Sequence, residues 1–204
     1  MVTNQLRTNT VSDAAVIAAM EAVPREDFVG SDQGAVAYRD TIVPLGGGRG
    51  LNPPIATGRL LAALQPRAGE RALVVGAGTG YSAALLAALG CRVTALEESP
   101  ELAARAEAAL AGGTAAVVKG PLPIGWASGA PYDFILFDGA VDRFPEAIVD
   151  QLVEGGRVAG ALIDRGVTRL AIGQRTAHGF GVTCFADVEV AALPGFAPAP
   201  AFTF

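Results

Sequence analysis

Five consecutive residues, Gly76-Ala77-Gly78-Thr79-Gly80, carry the sharpest chemical signal in the chain. They follow a short apolar run, Arg71–Val75, and precede a helical pattern that begins at Tyr81. Glycines at such a junction permit a tight turn and a close approach to the backbone, and the helix start offers free N–H groups. A dinucleotide fingerprint needs a small residue at the sixth position of G-x-G-x-x-G/A. Here that position is Tyr81, whose bulk disfavours pyrophosphate. Glu97 lies 97 − 76 = 21 residues beyond the first glycine, at the end of a second apolar run. A carboxylate there can accept hydrogen bonds from ribose hydroxyls. Glu98 is adjacent but points the opposite way along a strand. A glycine loop with an acid at this spacing suits a nucleoside that lacks a pyrophosphate, and S-adenosylmethionine is the obvious ligand. Gly76, Ala77, Gly78, Gly80, Tyr81 and Glu97 are the residues expected to hold it. The reading needs an open crevice between positions 76–80 and 97; the protein's own side chains lodged there would count against it.

The surrounding pattern supplies the elements that must position this loop. A helix running to about Ala22, with Ser12 as its N-cap, shows a stripe of Ala15, Val16, Ala19, Met20 and Val23, and Pro24 ends it. Residues 24–54 read as a long loop crowded with glycine and proline, and loops of that length in a compact domain are disproportionately functional. A helix resumes at Ile55–Leu64. Strands and helices then alternate: strand Arg71–Val75, helix Tyr81–Leu89, strand Arg92–Leu96, helix Ser99–Ala111, strands Ala115–Val118 and Asp133–Phe137, and a helix around Pro145–Val153. Such a succession predicts an α/β fold with a doubly wound, mostly parallel sheet. Arg157–Ile163, Val167–Ile172 and Gly181–Ala191 read as antiparallel edge strands, and Leu193–Phe204 as an extended tail. The expected organisation is one domain over 1–204: an N-terminal helical extension (1–66), a cofactor-binding core (67–163), and C-terminal strands and tail (164–204).

Composition narrows the function classes. The 204 residues carry 15 Lys plus Arg against 20 Asp plus Glu, a formal charge of −5, and show no basic cluster to grip a phosphate backbone. Nucleic acid is therefore not an expected partner. No apolar run reaches 18 residues, and the first residues lack the layout of a secretory signal, so no membrane is expected and a cytoplasmic location is. Cys91 and Cys184 belong to no C-x-x-C pair, so neither a metal site nor a disulfide framework is expected. His178, the only histidine, reads as an exposed turn residue.

Several stretches together resemble the protein-L-isoaspartate O-methyltransferase family. Val23-Pro24-Arg25-Glu26-Asp27-Phe28-Val29 is similar to that family's N-terminal signature, and Ala37-Tyr38-Arg39-Asp40 to the segment after it. Val75–Tyr81 resembles its cofactor loop, tyrosine included. Ala130–Ile135 and Gln151–Arg157 resemble two later stretches in the same order, so the likeness spans roughly residues 12–163. The resemblance implies a Rossmann-like methyltransferase fold. It also implies methyl transfer from S-adenosylmethionine to the free carboxylate of isoaspartyl residues in damaged peptides or proteins. Two departures stand out. Gly50-Leu51-Asn52-Pro53-Pro54 replaces a Thr-Ile-Ser-Gln-Pro-like run, which puts Asn52 where the family has a serine beside the acceptor. Gly120-Pro121-Leu122 replaces Gly-Asp-Gly, which removes an acceptor near the adenine.

The implied chemistry makes modest demands. A carboxylate with a solution pKa near 4 is already ionised at neutral pH, so the site needs alignment and hydrogen-bond donors rather than a strong base. Asn52 is the residue expected to act on the acceptor, because its amide offers two N–H donors in place of one hydroxyl. Losing one positioning donor costs about 1–3 kcal/mol, or roughly ten- to a hundredfold in rate. Arg39 and Asp40 could frame the acceptor pocket, Trp126 is expected to cover apolar surface, and Asp138 to approach the methionine end. Two alternatives remain open: a relative that binds S-adenosylmethionine or a partner protein without catalysis, and methylation of a different acceptor.

Overall fold

Why the glycine loop sits where it does follows from seven strands ordered β5-β4-β3-β6-β7-β8-β9 in a computed structural model that describes residues 13–196. The strands are β3 (Arg71–Val75), β4 (Arg92–Glu97), β5 (Ala115–Lys119), β6 (Tyr132–Val141), β7 (Leu152–Asp164), β8 (Val167–Thr176) and β9 (Gly179–Asp187). β5, β4, β3, β6 and β7 run parallel, and β8 and β9 add antiparallel at one edge. A separate hairpin, β1 (Val43–Gly46) and β2 (Arg49–Leu51), precedes the sheet. The helices are α1 (Ala14–Ala22), α2 (Pro54–Leu64), α3 (Tyr81–Ala88), α4 (Pro100–Ala109) and the single turn α5 (Glu146–Val149).

Strand β3 pairs with β4 on one side and β6 on the other. The chain leaves β3 toward β4 and leaves β6 toward β7, so the order reverses between β3 and β6. In open α/β sheets the crevice beyond the carboxyl ends at such a point is where ligands bind. α1 to α4 pack in one apolar layer with the β3–β4 side chains Ala72, Val74, Val93 and Ala95. On the opposite face Leu73, Val75 and Leu96 pack with Leu122, Ile148 and Val149. Burying the strands on both faces explains their unbroken apolar runs.

Several expected boundaries shift for identifiable reasons. The first helix is capped by Asp13, whose Oδ1 accepts from the amides of Ala15 (2.9 Å) and Val16 (3.1 Å); Ser12 lies outside the described residues. The segment 24–54 is more than a loop. It holds single 3₁₀ turns at Arg25–Phe28 and Gly34–Val36 and then the β1–β2 hairpin, turned by Gly46, Gly47 and Gly48, all at positive φ. The predicted strand ending at Phe137 continues to Val141. Between Leu136 and Ala140 its register against β7 slips, since four steps on β6 match two on β7 (Ala159 to Ala161). Bulges re-aim side chains, and this one carries Asp138. The predicted helix 145–153 shrinks to one turn because β7 already starts at Leu152. The last predicted strand ends at Asp187. Val188 N–H donates to Thr168 O of β8, and residues 191–196, which include 193–196 of the predicted tail, form a strap beside β6, with Ala140 N–H donating to Ala191 O and Leu193 N–H to Ala140 O, both at 2.8 Å. Residues 197–204 lie outside the described residues.

Candidate active site

The glycine loop turns immediately after β3, with Gly76, Gly78 and Gly80 at φ of +77°, +58° and +98°. These values favour glycine, which explains the spacing. Four of the loop's amides, however, are engaged inside the protein. Those of Gly76 and Ala77 donate to Leu96 O at 2.9 and 3.0 Å, that of Gly80 to Ala77 O at 2.8 Å, and that of Gly78 to Glu97 Oε2 at 2.7 Å. The amides of Gly76, Ala77 and Gly78, expected to cradle a ligand, here tie the loop to Leu96 and Glu97 of β4.

Glu97 ends β4 and is fully buried, whereas Glu98 faces solvent, as alternation along a strand requires. Beyond Gly78, Glu97 Oε1 accepts from the amides of Glu98 and Ser99, both at 3.0 Å, and from Arg49 Nη1 at 2.7 Å. Arg49 reaches in from β2, and its Nη2 donates to Gly76 O at 2.9 Å. An acid and a loop expected to be open to a ligand are therefore closed by an arginine 48 residues away in sequence. The strap adds a second obstruction. A Cβ placed on Gly76 would meet Leu193 Cδ2 at 2.5 Å, and one on Gly139 would meet Leu193 Cγ at 2.6 Å, so the Leu193 side chain occupies the room those two glycines leave.

Asn52 is held on three sides. Its backbone carbonyl accepts from Arg25, its Nδ2 donates to Asp138 Oδ1 at 2.9 Å, and its Oδ1 accepts from Ala191 N–H at 2.9 Å. The last bond fixes the amide orientation, since a backbone N–H must meet the oxygen. With 2% of its surface exposed, Asn52 fastens the strap to Asp138. At the floor of the crevice, burial lifts the Asp138 pKa above its usual range. That effect outweighs the opposing donors on Ser82 and Asn52 and the charges of Arg49 and Arg25.

Tyr81 is placed away from the loop's open side. Its ring packs edge-on against Phe28 at 5.4 Å and under the Arg25 guanidinium at 4.9 Å. Burial pushes its phenol up to about 12. The Asp40 carboxylate accepts from Ile55 N–H at 3.2 Å at the start of α2, Arg39 is exposed, and the indole of Trp126 packs onto apolar surface beneath Gly120. His178 is exposed in the β8–β9 turn. The structure thus brings Asn52, Gly76, Gly78, Glu97 and Asp138 together, engages Asp40 at the start of α2 and Tyr81 with Phe28 and Arg25, and leaves Arg39 at the surface. Sequence reasoning missed Arg49 and Leu193. A lone long cation among Gly46, Gly47, Gly48 and Gly50 was the available signal for the first; nothing local marks the second.

One side of the crevice is wide. A cleft of about 620 Å³ is lined by Gly47, Arg49, Glu98, Ser99, Gly120, Pro121 and Pro194. The group expected here, S-adenosylmethionine, finds matching acceptors in Glu97 and Gly76 O and matching space in this cleft. On the narrow side Arg49 holds both acceptors and Leu193 occupies the room beside Gly76 and Gly139.

The architecture, with its parallel strands, switch-point crevice and antiparallel edge, is that of the Rossmann-like methyltransferases. A protein-L-isoaspartate O-methyltransferase structure superposes with a TM-score of 0.82 at 23% identity, over 93% of this chain and 64% of the other. A Plasmodium falciparum protein of the same designation, solved with S-adenosyl-L-homocysteine, gives 0.76 at 20% identity, over 92% and 94%. In sequence, the profile of protein-L-isoaspartate(D-aspartate) O-methyltransferase matches residues 1–176. The protein-L-isoaspartate O-methyltransferase of Methylorubrum populi is 42% identical over 160 residues, covering 78% of this chain and 76% of its own. That of Aeropyrum pernix is 38% identical over 201 residues, covering 95% and 77%. The chain belongs to the protein-L-isoaspartate(D-aspartate) O-methyltransferase family.

Proposed function

We propose that the protein transfers a methyl group from S-adenosylmethionine to the free carboxylate of L-isoaspartyl residues in damaged peptides and proteins. The observation that carries this reading is the family match over residues 1–176. We take residues 13–196 to act as one unit, a reading supported by an apolar layer that draws on Val16, Leu60, Leu136 and Val190 alike. We place the protein in the cytoplasm; among the described residues no helix is long and apolar enough to cross a membrane.

The cofactor, when bound, supplies a methyl group already activated by a sulfonium. The chain's own residues must then orient and exclude. Glu97, buried and held by three amides, is the acceptor for ribose hydroxyls once Arg49 withdraws. The cleft at Glu98, Ser99, Gly120 and Pro121 takes the base. Asn52 positions Asp138 and the strap at the methionine end, which makes it a positioning residue rather than a free donor to the acceptor.

A second reading is favoured by a specific observation: Arg49 and Leu193 fill the narrow side, and Asn52 has its amide engaged. In that reading the chain is a relative that no longer catalyses. The deciding experiment supplies an isoaspartyl peptide, a matched aspartyl peptide and methyl-labelled cofactor, and counts base-labile methyl ester. The first reading expects ester on the isoaspartyl peptide alone, with Asn52→Ser changing the rate by roughly ten- to a hundredfold. No ester at high enzyme concentration with either peptide, in wild type and Asn52→Ser alike, establishes the second.

A further inference from the structure

The donors that close the narrow side have a chemical pattern of their own. Arg49 offers two N–H groups to two acceptors, Glu97 Oε1 and Gly76 O. A ribose diol and an ammonium group would offer donors to the same two atoms. Leu193 places an isobutyl group over Gly76 and Gly139, where a ligand's aliphatic chain would otherwise run. We infer that Arg49 and Leu193 together act as a built-in competitor for the cofactor, so that they set its affinity by having to leave. This rests on the methyltransferase reading above.

Three features make the competitor displaceable. The hairpin tip is not wedged: among the described residues nothing lies within 4 Å of the Cβ positions of Gly46, Gly47 or Gly48. The wide cleft already touches Arg49, so an adenosine seated beside Glu98 and Ser99 abuts the guanidinium it must displace. Hairpin and strap are also joined. A Cβ on Gly50 would lie 3.4 Å from Ala191 Cβ, and Asn52 Oδ1 holds Ala191 N–H. Arg49 and Leu193 also meet at one place, since a Cβ on Gly76 would lie 3.1 Å from Arg49 Nη2 and 2.5 Å from Leu193 Cδ2. A site whose competent state is only fractionally populated binds more weakly by that fraction, and a substitution that removes the competing state restores the affinity.

The test is titration of the full chain with S-adenosylhomocysteine, read by calorimetry and by the fluorescence of Trp126, the only tryptophan, which packs beneath the cleft residue Gly120. Arg49→Met removes the donors and keeps the aliphatic stem. Leu193→Ala removes the apolar plug without touching a charge, and so guards against a fold defect caused by the first. Each variant is expected to bind about tenfold or more tightly than wild type. Binding by wild type with neither variant tighter overturns the inference and leaves the methyltransferase reading standing. Weaker binding by Arg49→Met, with Leu193→Ala unchanged, also overturns it and makes Arg49 a ligand of the cofactor. No binding by any of the three overturns both.

Discussion

The two sides of the crevice are built by different means. The wide side is made of strand ends and small residues: Ser99 caps α4 by accepting from Leu102 N–H at 3.3 Å, Glu98 points to solvent, and Gly120 and Pro121 follow β5 directly. The narrow side is made of side chains brought from far away in sequence, Arg49 and Asn52 from the hairpin and Leu193 from the strap. The first needs mainly the sheet, with Gly47 and Arg49 of the hairpin and Pro194 of the strap at its border. The second needs the sheet plus two later dockings, which makes it the part of the site whose state can change. Shape on one side and polar engagement on the other are thus separable, and each can be broken without the other.

The largest effect is expected on the narrow side. Glu97→Ala leaves a buried guanidinium and the amides of Gly78, Glu98 and Ser99 without their shared acceptor. Removing one partner of a buried ion pair costs about 3–5 kcal/mol. Urea unfolding should show a loss of that order, and a loss under about 1 kcal/mol would mean that the pair contributes little. On the wide side, Pro121→Asp returns an acceptor beside the cleft. It should tighten S-adenosylhomocysteine binding by up to about tenfold, the worth of one hydrogen bond, with little change in unfolding midpoint. Unchanged affinity would show that the base is not read at this position.

The smallest effect is a pH dependence. Burial raises the Asp138 pKa above its ordinary 3.8, so the native state holds its proton over a range in which the unfolded chain has lost it. Stability therefore falls as pH rises from about the ordinary value through the folded one. Asp138→Asn keeps an oxygen for Asn52 to donate to and cannot titrate. The stability difference between variant and wild type should grow in the variant's favour as pH rises across that window. Parallel stability–pH curves would contradict the assignment.

What the sequence revealed follows the same division. The wide side was legible because it is local: β3 is found at the expected bounds, β4 ends on Glu97, and α4 follows its cap at Ser99. Turn glycines and apolar runs report directly on such elements. The narrow side was not legible, since periodicity says nothing about which distant residues meet. Arg49 and Glu97 are 48 positions apart, and neither flank announces the other. Pro44 and the three turn glycines made the hairpin read as plain loop. Leu193 sits in a proline-rich stretch that resembles a trailing end, yet only 6% of it is exposed. Asn52 was singled out for its substitution within the motif, and its engagement with Ala191 could only be seen in three dimensions.

The bond from Asn52 to Ala191 spans 139 residues, and this bears on how the molecule is made. At about 5–20 residues per second of synthesis, roughly seven to twenty-eight seconds separate the appearance of its two ends. Over the last 191 − 138 = 53 of those residues, Asp138, β3, β4 and the hairpin segment have been made while the strap has not. The nascent chain therefore passes through a stage in which Asp138 and the glycine loop face water uncovered, and small molecules in the surroundings can reach them before the polypeptide closes over its own floor.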